Sequence, residues 1–388
     1  MSSNPQATAA IQQAQSLFQQ SKPREALKIL RAAEAAGARD AAIPLNIGLA
    51  LRMLGDFNGA LVEVERALAL DPYDFLALLS KGKLLERLGR RNAAAKVYVN
   101  ALKIMPPEDR LPPSLKSAVT AARGIIAERN HALAEHLREA TGPLKEAFSG
   151  ENFARFDECL EIFSGLKKAY VHEPLLLNFP RLPAIPFFDR AHFPWLAELE
   201  AATPDIRDEL MRLLREDQDR FRPYIQFPPG APVNQWVDLN HSPSWSTLFL
   251  WENGDQNPAI CGKCPKTTAL LSRLPMAAQP GLAPTAMFSA LAPRTRIPPH
   301  TGSTNARSIV HLPLVLPQDC RFRVGNETRD WRMNEAWVFD DSIEHEAWND
   351  SDELRVILIF DIWNPLLSAA ERALVTALLG ANRAFEAI

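Results

Sequence analysis

The chain has 388 residues, 47% of them hydrophobic, so it is long enough for two or three domains with buried cores. Its net charge of −3 and isoelectric point near 6.3 argue against a general nucleic-acid-binding protein. Its 4 cysteines are too few for a disulfide framework. Neither a signal peptide nor an apolar run of the roughly 18–20 residues that cross a bilayer is visible. We therefore expect a cytoplasmic, soluble protein that binds neither nucleic acid nor membrane.

The first hundred residues contain a repeat with a period of about 34 residues. Small residues and a proline recur at this displacement: Gly48, Gly55, Ala60, Ala67 and Pro72 are followed by Gly82, Gly89, Ala94, Ala101 and Pro106. An earlier copy has Ala14, Ala26 and Ala33. Small residues let antiparallel helices approach closely, and proline cannot continue a helix. The pattern resembles three tetratricopeptide repeats, at about residues 7–40, 41–74 and 75–108, which would make residues 1–108 an α-solenoid.

An α-solenoid has a concave face that commonly holds a peptide or a partner protein. We predict that the repeats hold a protein or peptide substrate; the alternative is a structural extension without a ligand. Residues 109–180 keep a helical pattern, and we interpret them as a helical cap and linker. Prolines cluster in the connecting region that follows, residues 181–235, which also contains a helix.

From about Trp236 the pattern changes to short strands, rich in β-branched and aromatic residues and separated by turn residues. The predicted strands lie in TAMFSALA, RSIVHLPLVL, RFRVG, EAWVFDD, EHEAW and LRVILIFDIW. Antiparallel strands with inward polar residues predict a double-stranded β-helix, or jelly-roll barrel, over residues 236–388. The last helix would begin with a capping box of Ser368 and Glu371. The predicted fold class is multidomain α + β, an α-solenoid followed by a jelly-roll domain.

The motif CGKC, from Cys261 to Cys264, could indicate a zinc site or a redox motif. A zinc site would need a second pair of ligands at a comparable spacing, and none is visible. A thioredoxin-like motif would need a preceding strand, whereas the preceding segment has the composition of a loop. We interpret these cysteines as an ordinary loop pair.

Two histidines of the strand-rich region are candidate metal ligands. His300 is predicted in a proline-bounded turn just before a strand, and His345 lies between two other strands. A jelly roll brings such segments together at one mouth of the barrel, and imidazole suits iron. Many mononuclear iron enzymes add a carboxylate two residues after the first histidine, but Gly302 occupies that place. Two histidines alone would more often be ordinary core or surface residues.

Four segments in order carry a more specific signal: HTGSTNARSIVHLPLVLP, RVGNETRDW, VFDDSIEHEAWN and LRVILIFDIWNP. Over about residues 236–375 the chain resembles the catalytic domain of the aspartyl/asparaginyl β-hydroxylase family, which comprises iron(II)- and 2-oxoglutarate-dependent oxygenases. The resemblance implies an enzyme, a dioxygenase that uses iron(II), 2-oxoglutarate and O2. That family binds iron through two histidines without a carboxylate, and it has glycine where the carboxylate is expected. It therefore implies His300 and His345 as metal ligands and accounts for Gly302.

The resemblance also implies residues that bind the co-substrate. Arg355 would bind the distal carboxylate of 2-oxoglutarate through a fork of charge-assisted hydrogen bonds, which lysine cannot reproduce. Ser289 would donate a hydroxyl hydrogen bond to the same carboxylate. His311 would contact the co-substrate, and Trp245 would line its pocket. Singly, each could be an ordinary strand or core residue, and no catalytic residue beyond the metal ligands is predicted.

The substrate is the point at which the sequence departs from the family. Well-known animal members have Arg-x-Arg-x-His in one strand, and the two arginines hold the acidic side chain of the substrate. Here Arg307 is retained and would face the substrate, whereas Ile309 replaces the second arginine. The motif DDS, from Asp340 to Ser342, would hold the segment of the distal histidine, or would form a solvated acidic turn.

The predicted function is hydroxylation of a substrate, with Asp or Asn residues of a protein as the preferred target. Two alternatives stay open. The chain could be an oxygenase that acts on a small molecule, or a tetratricopeptide adaptor whose barrel is catalytically silent.

Overall fold

The structure, a computed structural model, describes residues 5–38, 40–279 and 281–386. The chain divides into two compact units, one up to Lys168 and one from Ala169 onward. Some residues of the predicted domains lie outside the described ranges. They are residues 1–4 and 39 of the first domain and residues 387–388 of the last. In the described ranges, no helix combines the length and the apolar character that a membrane span requires.

The first unit is helical. Its helices are α1 Pro5–Gln19, α2 Pro23–Ala35, α3 Ala42–Met53, α4 Phe57–Leu70, α5 Phe75–Arg87, α6 Arg91–Lys103, α7 Pro113–Ala147 and α8 Ala154–Ser164. Helices α1 to α6 pack as consecutive pairs, α1 on α2, α3 on α4 and α5 on α6. Each pair coincides with one predicted repeat, so the tetratricopeptide architecture is confirmed.

The small residues of the repeat lie where paired helices come closest. A Cβ atom added to Gly82 would lie 2.2 Å from the ring of Tyr98, and one added to Gly48 would lie 3.0 Å from a methyl group of Val64. Gly55, just after α3, has a φ of +86°, which glycine adopts without strain. The repeat pattern in the sequence therefore reflects helix packing. After the last pair, α7 packs on α6 and α8 packs on α7, as expected of a helical cap.

The second unit combines helices with antiparallel strands. Its helices are α9 Leu196–Ala201, α10 Thr203–Glu216, α11 Pro258–Cys261, α12 Pro265–Leu271 and α13 Ala369–Glu386. Its strands are β1 Arg222–Pro223, β2 Trp245–Glu252, β3 Asp255–Gln256, β4 Ala286–Leu291, β5 Thr295–His300, β6 Arg307–Val315, β7 Cys320–Val324, β8 Glu327–Asp330, β9 Trp337–Phe339, β10 His345–Asn349 and β11 Arg355–Trp363.

Within the described residues, these strands form two sheets. The larger has the order β1-β2-β4-β11-β6-β9, with β3 paired to β2, and the smaller has the order β5-β10-β7-β8. The pairings between strands are antiparallel. The arrangement is compatible with the predicted jelly roll.

Side chains alternate between the two faces of the larger sheet, because successive residues of a strand point to opposite sides. One face, with Phe288 and Leu358, shares a hydrophobic core with residues of helices α9 to α12. The opposite face, with Trp245 and Ile357, shares a second core with Phe322 of the smaller sheet. The space between the sheets is where the candidate site lies.

The six strands predicted from the sequence occur as β4, β6, β7, β9, β10 and β11. The prediction for His300 was wrong, because this residue ends strand β5 and does not lie in a turn before a strand. Pro298 and Pro299 lie within this strand, and their presence had indicated a turn. They are tolerated because β5 is at the edge of its sheet, where one row of backbone N–H groups has no strand partner.

The interpretation of Cys261 and Cys264 as a loop pair was also wrong. Cys261 ends α11 and Cys264 immediately precedes α12, and both belong to the core beneath the larger sheet. The Cys261 thiol donates a hydrogen bond to the carbonyl of Leu250 at 3.3 Å. Burial raises the pKa of the Cys264 thiol to about 12, as suits a packing residue. The capping box is confirmed, since Ser368 N–H donates to the Glu371 carboxylate at 2.8 Å and Glu371 N–H donates to the Ser368 hydroxyl at 3.3 Å.

Candidate active site

His300 and His345 face each other across two paired strands. They are direct partners in the ladder between β5 and β10, and their ring centroids are 4.1 Å apart. Each Nδ1 donates to a backbone carbonyl two residues earlier, that of Pro298 at 2.8 Å and that of Ile343 at 3.0 Å. A carbonyl can only accept, so the proton is on Nδ1 and each Nε2 keeps a lone pair.

Both imidazoles are held neutral. Burial lowers the pKa of His300, and it lowers the pKa of His345 well below its ordinary value, with the neighbouring His300 acting in the same direction. Two neutral imidazoles with oriented lone pairs are suitable ligands for a divalent transition metal. Across residues 5–38, 40–279 and 281–386, no group of three or more His, Cys, Asp or Glu side chains forms a metal site. An ion at this pair would therefore have two protein ligands.

Asp341 occupies the space beside Gly302. A Cβ atom added to Gly302 would lie 1.8 Å from Asp341 Oδ2, and the Gly302 N–H donates to the Asp341 carbonyl at 2.6 Å. Burial raises the pKa of the Asp341 carboxyl to about 8. Any side chain at position 302, a carboxylate ligand included, would have to displace Asp341.

The histidines line a cavity of ≈ 430 Å³, whose wall also includes Arg355. Arg355 is 1% exposed, and in the part of the chain that the structure describes its Nε and Nη2 have no hydrogen-bond partner. Nor does any described acidic side chain form an ion pair with it. Burial lowers the pKa of Arg355 to about 10, so the guanidinium is still charged at neutral pH. A buried charge without a counter-charge is unfavourable, and an anionic ligand would supply that counter-charge.

Ser289 and Trp245 lie in the same wall, on neighbouring strands. The indole Nε1 of Trp245 donates to the Ser289 hydroxyl at 3.0 Å. In the ladder between β4 and β11, Ser289 is opposite Ile357, two residues along the strand from Arg355. Because the Ser289 oxygen accepts from the indole, its hydroxyl group can still donate one hydrogen bond of its own.

His311 completes the predicted co-substrate residues in this cavity. Its ring stacks on Trp331 with centroids 5.5 Å apart, and its Nδ1 has no partner among the described residues. Burial lowers the pKa of His311 well below its ordinary value, and Arg355 lowers it further. The structure thus brings the predicted metal and co-substrate residues to one cavity between the sheets.

Arg307, the predicted substrate residue, also lines the cavity, but it is not free. Its Nη1 donates to Asp361 Oδ2 at 2.8 Å in a largely buried ion pair. Ile309 is opposite Asp361 in the ladder between β6 and β11. Sequence reasoning did not identify Asp361, although period-2 alternation from Arg355 along β11 would have placed it on the same face.

Sequence reasoning also missed Trp236, whose ring lies 5.0 Å from that of His300 in an edge-to-face arrangement. Trp236 ends a short 3-10 turn, Asn234–Trp236, and therefore had no strand or helix period to indicate its direction. It adds to the apolar wall beside the histidine pair.

The DDS motif forms a buried network behind the site. Asp340 and Ser342 are both 0% exposed, and Asp340 Oδ1 accepts from the Ser342 N–H at 3.0 Å and from its hydroxyl at 2.6 Å. His172 Nδ1 lies 3.0 Å from the Ser342 hydroxyl and 3.2 Å from Asp340 Oδ2. The alternative of a solvated acidic turn is therefore wrong for Asp340 and Ser342, which brace the segment that leads to His345.

Comparison with known proteins gives a consistent result. The family model described as aspartyl/asparaginyl beta-hydroxylase matches residues 200–365. The chain is 28% identical over 352 residues to the aspartyl/asparaginyl beta-hydroxylase of Mus musculus, covering 84% of this chain and 44% of that protein. It is 35% identical over 202 residues to the ornithine lipid ester-linked acyl 2-hydroxylase of Rhizobium tropici, covering 51% of this chain and 67% of that protein. The chain thus spans less than half the length of the mouse relative.

Among solved structures, the second tetratricopeptide domain of Spaghetti (RPAP3) bound to an HSP90 peptide is 22% identical. It covers 26% of this chain and 94% of that chain, with a TM-score of 0.25.

Proposed function

The chain belongs to the aspartyl/asparaginyl β-hydroxylase family, and from this premise we propose that it is an iron(II)- and 2-oxoglutarate-dependent dioxygenase that hydroxylates its substrate. One observation carries the proposal. Arg355, buried and charged, has no hydrogen-bond partner for Nε and Nη2 among the described residues, and it lines the same cavity as two neutral histidines whose protons are on Nδ1. Iron(II) brings two positive charges and 2-oxoglutarate two negative ones, so two neutral imidazoles suffice for a nearly neutral centre.

Each residue has a definite role in this proposal. His300 and His345 hold the iron through Nε2, and their backbone hydrogen bonds fix the orientation of both rings. Arg355 and Ser289 bind the distal carboxylate of 2-oxoglutarate. The bound iron and co-substrate supply the oxidising power that inserts one atom of O2 into a C–H bond, with succinate and CO2 as by-products.

The aromatic wall orients the co-substrate and excludes water. The indole of Trp245 donates a hydrogen bond to the Ser289 oxygen and covers the pocket. His311 stays neutral, because burial lowers its pKa, and contacts the co-substrate. Exclusion of water strengthens the ion pair between Arg355 and the carboxylate, because charges interact more strongly in a medium of low polarity.

For the substrate, we propose an aspartyl or asparaginyl residue of a protein or peptide. The name of the mouse relative, aspartyl/asparaginyl beta-hydroxylase, and the N-terminal solenoid support this choice, because solenoids present concave surfaces that bind polypeptides. Remote binding of this kind would raise the effective concentration of the reacting residue at the iron. Arg307 lines the cavity and would face this substrate.

A second candidate is hydroxylation of an apolar acyl chain, as the name of the Rhizobium relative indicates for that protein. Ile309 at the place of the second arginine favours it. Leu175 and Leu176, which are 78% and 55% exposed and line the cavity, favour it as well.

Succinate production tests the proposed function. Purified protein supplied with iron(II), 2-oxoglutarate and O2 should release succinate slowly without its substrate, and omission of any one of the three should abolish the release. Binding of 2-oxoglutarate, measured with Mn(II) in place of iron, provides an independent readout. A protein that neither releases succinate nor binds 2-oxoglutarate would be the catalytically silent adaptor.

The two substrate candidates are separated by their products. Cells with and without the protein should differ in one-oxygen mass increments on Asp or Asn residues of particular proteins. Increments confined to the acyl chains of lipids would favour the second candidate.

A further inference from the structure

Three residues form a polar group in the wall of the cavity, here called the Arg307 cluster: Arg307, Asp361 and Gln279. Asp361 accepts from Arg307 at 2.8 Å and from the backbone N–H of Thr285 at 3.1 Å. The guanidinium also reaches the carbonyl of Leu282 at 3.4 Å. The Leu282 N–H donates to the Gln279 carbonyl at 2.9 Å, so the backbone of Gln279 is linked through Leu282 to Arg307. All three residues line the cavity of the histidine pair.

Gln279 is the unexplained member of this cluster. It is 1% exposed, and within the described residues neither its side-chain oxygen nor its side-chain nitrogen has a hydrogen-bond partner. A buried amide is almost always paired, so an acceptor and a donor left unpaired in a cavity wall indicate a ligand that pairs with both. Arg307 Nε is a third such atom, buried and unpaired in the described part of the chain.

The charges of the cluster exclude a simple acid-binding site. The positive charge of Arg307 is already neutralised by its ion pair with Asp361. Ile309, which is opposite Asp361 in the ladder, is apolar and supplies no second cation. A carboxylate ligand would exchange its hydration for a site whose cation is already paired with Asp361, which is unfavourable.

A carboxamide fits the same surroundings. It has no charge, its oxygen can accept from the Gln279 amide or from Arg307 Nε, and its NH2 group can donate to the Gln279 oxygen. Given the proposed function, we propose that the Arg307 cluster recognises a neutral carboxamide, so that the hydroxylated residue is an asparagine of a polypeptide and not an aspartate. Gln279 is then a specificity-determining residue, and Ile309 is the reason why an acid is rejected.

Matched peptide libraries test this inference. Two random peptide libraries, identical except that the central residue is Asn in one and Asp in the other, are incubated with the full chain, iron(II), 2-oxoglutarate and O2. Incorporation of one oxygen is measured by mass spectrometry, and uncoupled succinate release is measured in parallel. The Asn library should be hydroxylated at least roughly tenfold more than the Asp library, as expected for a difference of one or two hydrogen bonds in a buried site.

Variants of the cluster sharpen the test. Ile309→Arg should move the preference towards the Asp library, because it adds a second cation opposite Asp361. Gln279→Leu should lower hydroxylation of the Asn library roughly tenfold relative to wild type. Gln256→Leu, which changes an exposed glutamine of β3, is the matched control and should leave both libraries unaffected. If Gln279→Leu does not fold, Gln279→Glu keeps the shape of the side chain and should likewise lose hydroxylation of the Asn library.

Each remaining outcome is decisive. Equal or greater hydroxylation of the Asp library by the wild-type protein would overturn the inference. Hydroxylation of neither library, with uncoupled succinate release intact, would also overturn it and leave the proposed function standing. Absence of succinate release as well would contradict the proposed function, and the inference with it.

Discussion

His300 and His345 are direct partners in the antiparallel ladder between β5 and β10, with ring centroids 4.1 Å apart. Register alone brings together two residues that are far apart in the chain. Because a carbonyl oxygen holds each Nδ1 proton, both rings present Nε2 as the free nitrogen. The strand pairing therefore places two imidazoles side by side, as the proposed two-ligand metal site requires.

The first prediction concerns this pair. His300→Ala and His345→Ala should each weaken binding of Mn(II) or iron(II) by more than about 100-fold, because loss of even an outer partner of a ligand costs 10–100-fold. Calorimetric titration with Mn(II) measures the change, and His136→Ala, at an exposed position of α7, serves as the control. Unchanged affinity in either site variant would remove that histidine from the metal site.

Arg355→Ala should weaken 2-oxoglutarate binding by about 2–5 kcal/mol, because a buried carboxylate would lose its only charged partner. Arg355→Lys should recover part of this loss, since an ammonium group keeps the charge without the fork of donors. Titration with 2-oxoglutarate in the presence of Mn(II) gives the affinities. Arg321→Ala, which changes an exposed arginine of β7, is the matched control. If Arg355→Ala bound 2-oxoglutarate as tightly as wild type, another residue would have to hold the distal carboxylate.

Gly302→Asp should reduce succinate release, although it adds the carboxylate that many iron enzymes use. The new side chain would collide with Asp341, since even its Cβ atom would lie 1.8 Å from Oδ2. Gly302→Ala separates the steric effect from the charge effect and should also be impaired. The measurement is the initial rate of succinate formation by each variant. A Gly302→Asp protein that forms succinate faster than wild type would refute the prediction.

The contribution of His172 to stability should depend on pH. Its hydrogen bond with Asp340 raises the pKa of His172 above 6.5, against the opposing effect of burial. The folded state therefore binds this proton more tightly than the unfolded state, so the contribution is fully present below pH 6.5 and is lost as pH rises through the raised pKa.

Urea unfolding of wild type and His172→Gln across this range should show a difference in the free energy of unfolding that shrinks as pH rises. A His172→Gln difference that grew with pH would mean that His172 is not stabilised as a cation.

Gly82→Ala should destabilise the first unit by about 1–3 kcal/mol, the usual cost of overpacking a core. The added methyl group would lie 2.2 Å from the Tyr98 ring, between α5 and α6. Gly124→Ala is the matched control, because among the described residues nothing lies within 4 Å of its added Cβ in α7. It should stabilise the helix by roughly 0.5–1 kcal/mol. Chemical denaturation measures both, and a Gly82→Ala protein as stable as wild type would show that α5 and α6 pack less closely than described.

Sequence alone was sufficient for the repeats and for most strands, because their signals are local. The recurrence of Gly48 at Gly82 marks the close approach of paired helices, and period-2 alternation placed Arg355 and Ile357 on one face of β11. The resemblance to a family then selected seven site residues, which the structure brings to one cavity. Their roles remain predictions.

Tertiary structure decided what depends on register and burial. Pro298 and Pro299 are in a strand because β5 is a sheet edge, and Cys261 is a core residue because helices cover that face of the larger sheet. The ion pair of Arg307 with Asp361 joins distant segments, and the buried Gln279 amide has no hydrogen-bond partner among the described residues. No local period encodes either feature. The chain's own pattern thus determines which elements form, whereas the packing of those elements determines which polar groups the cavity leaves for a substrate.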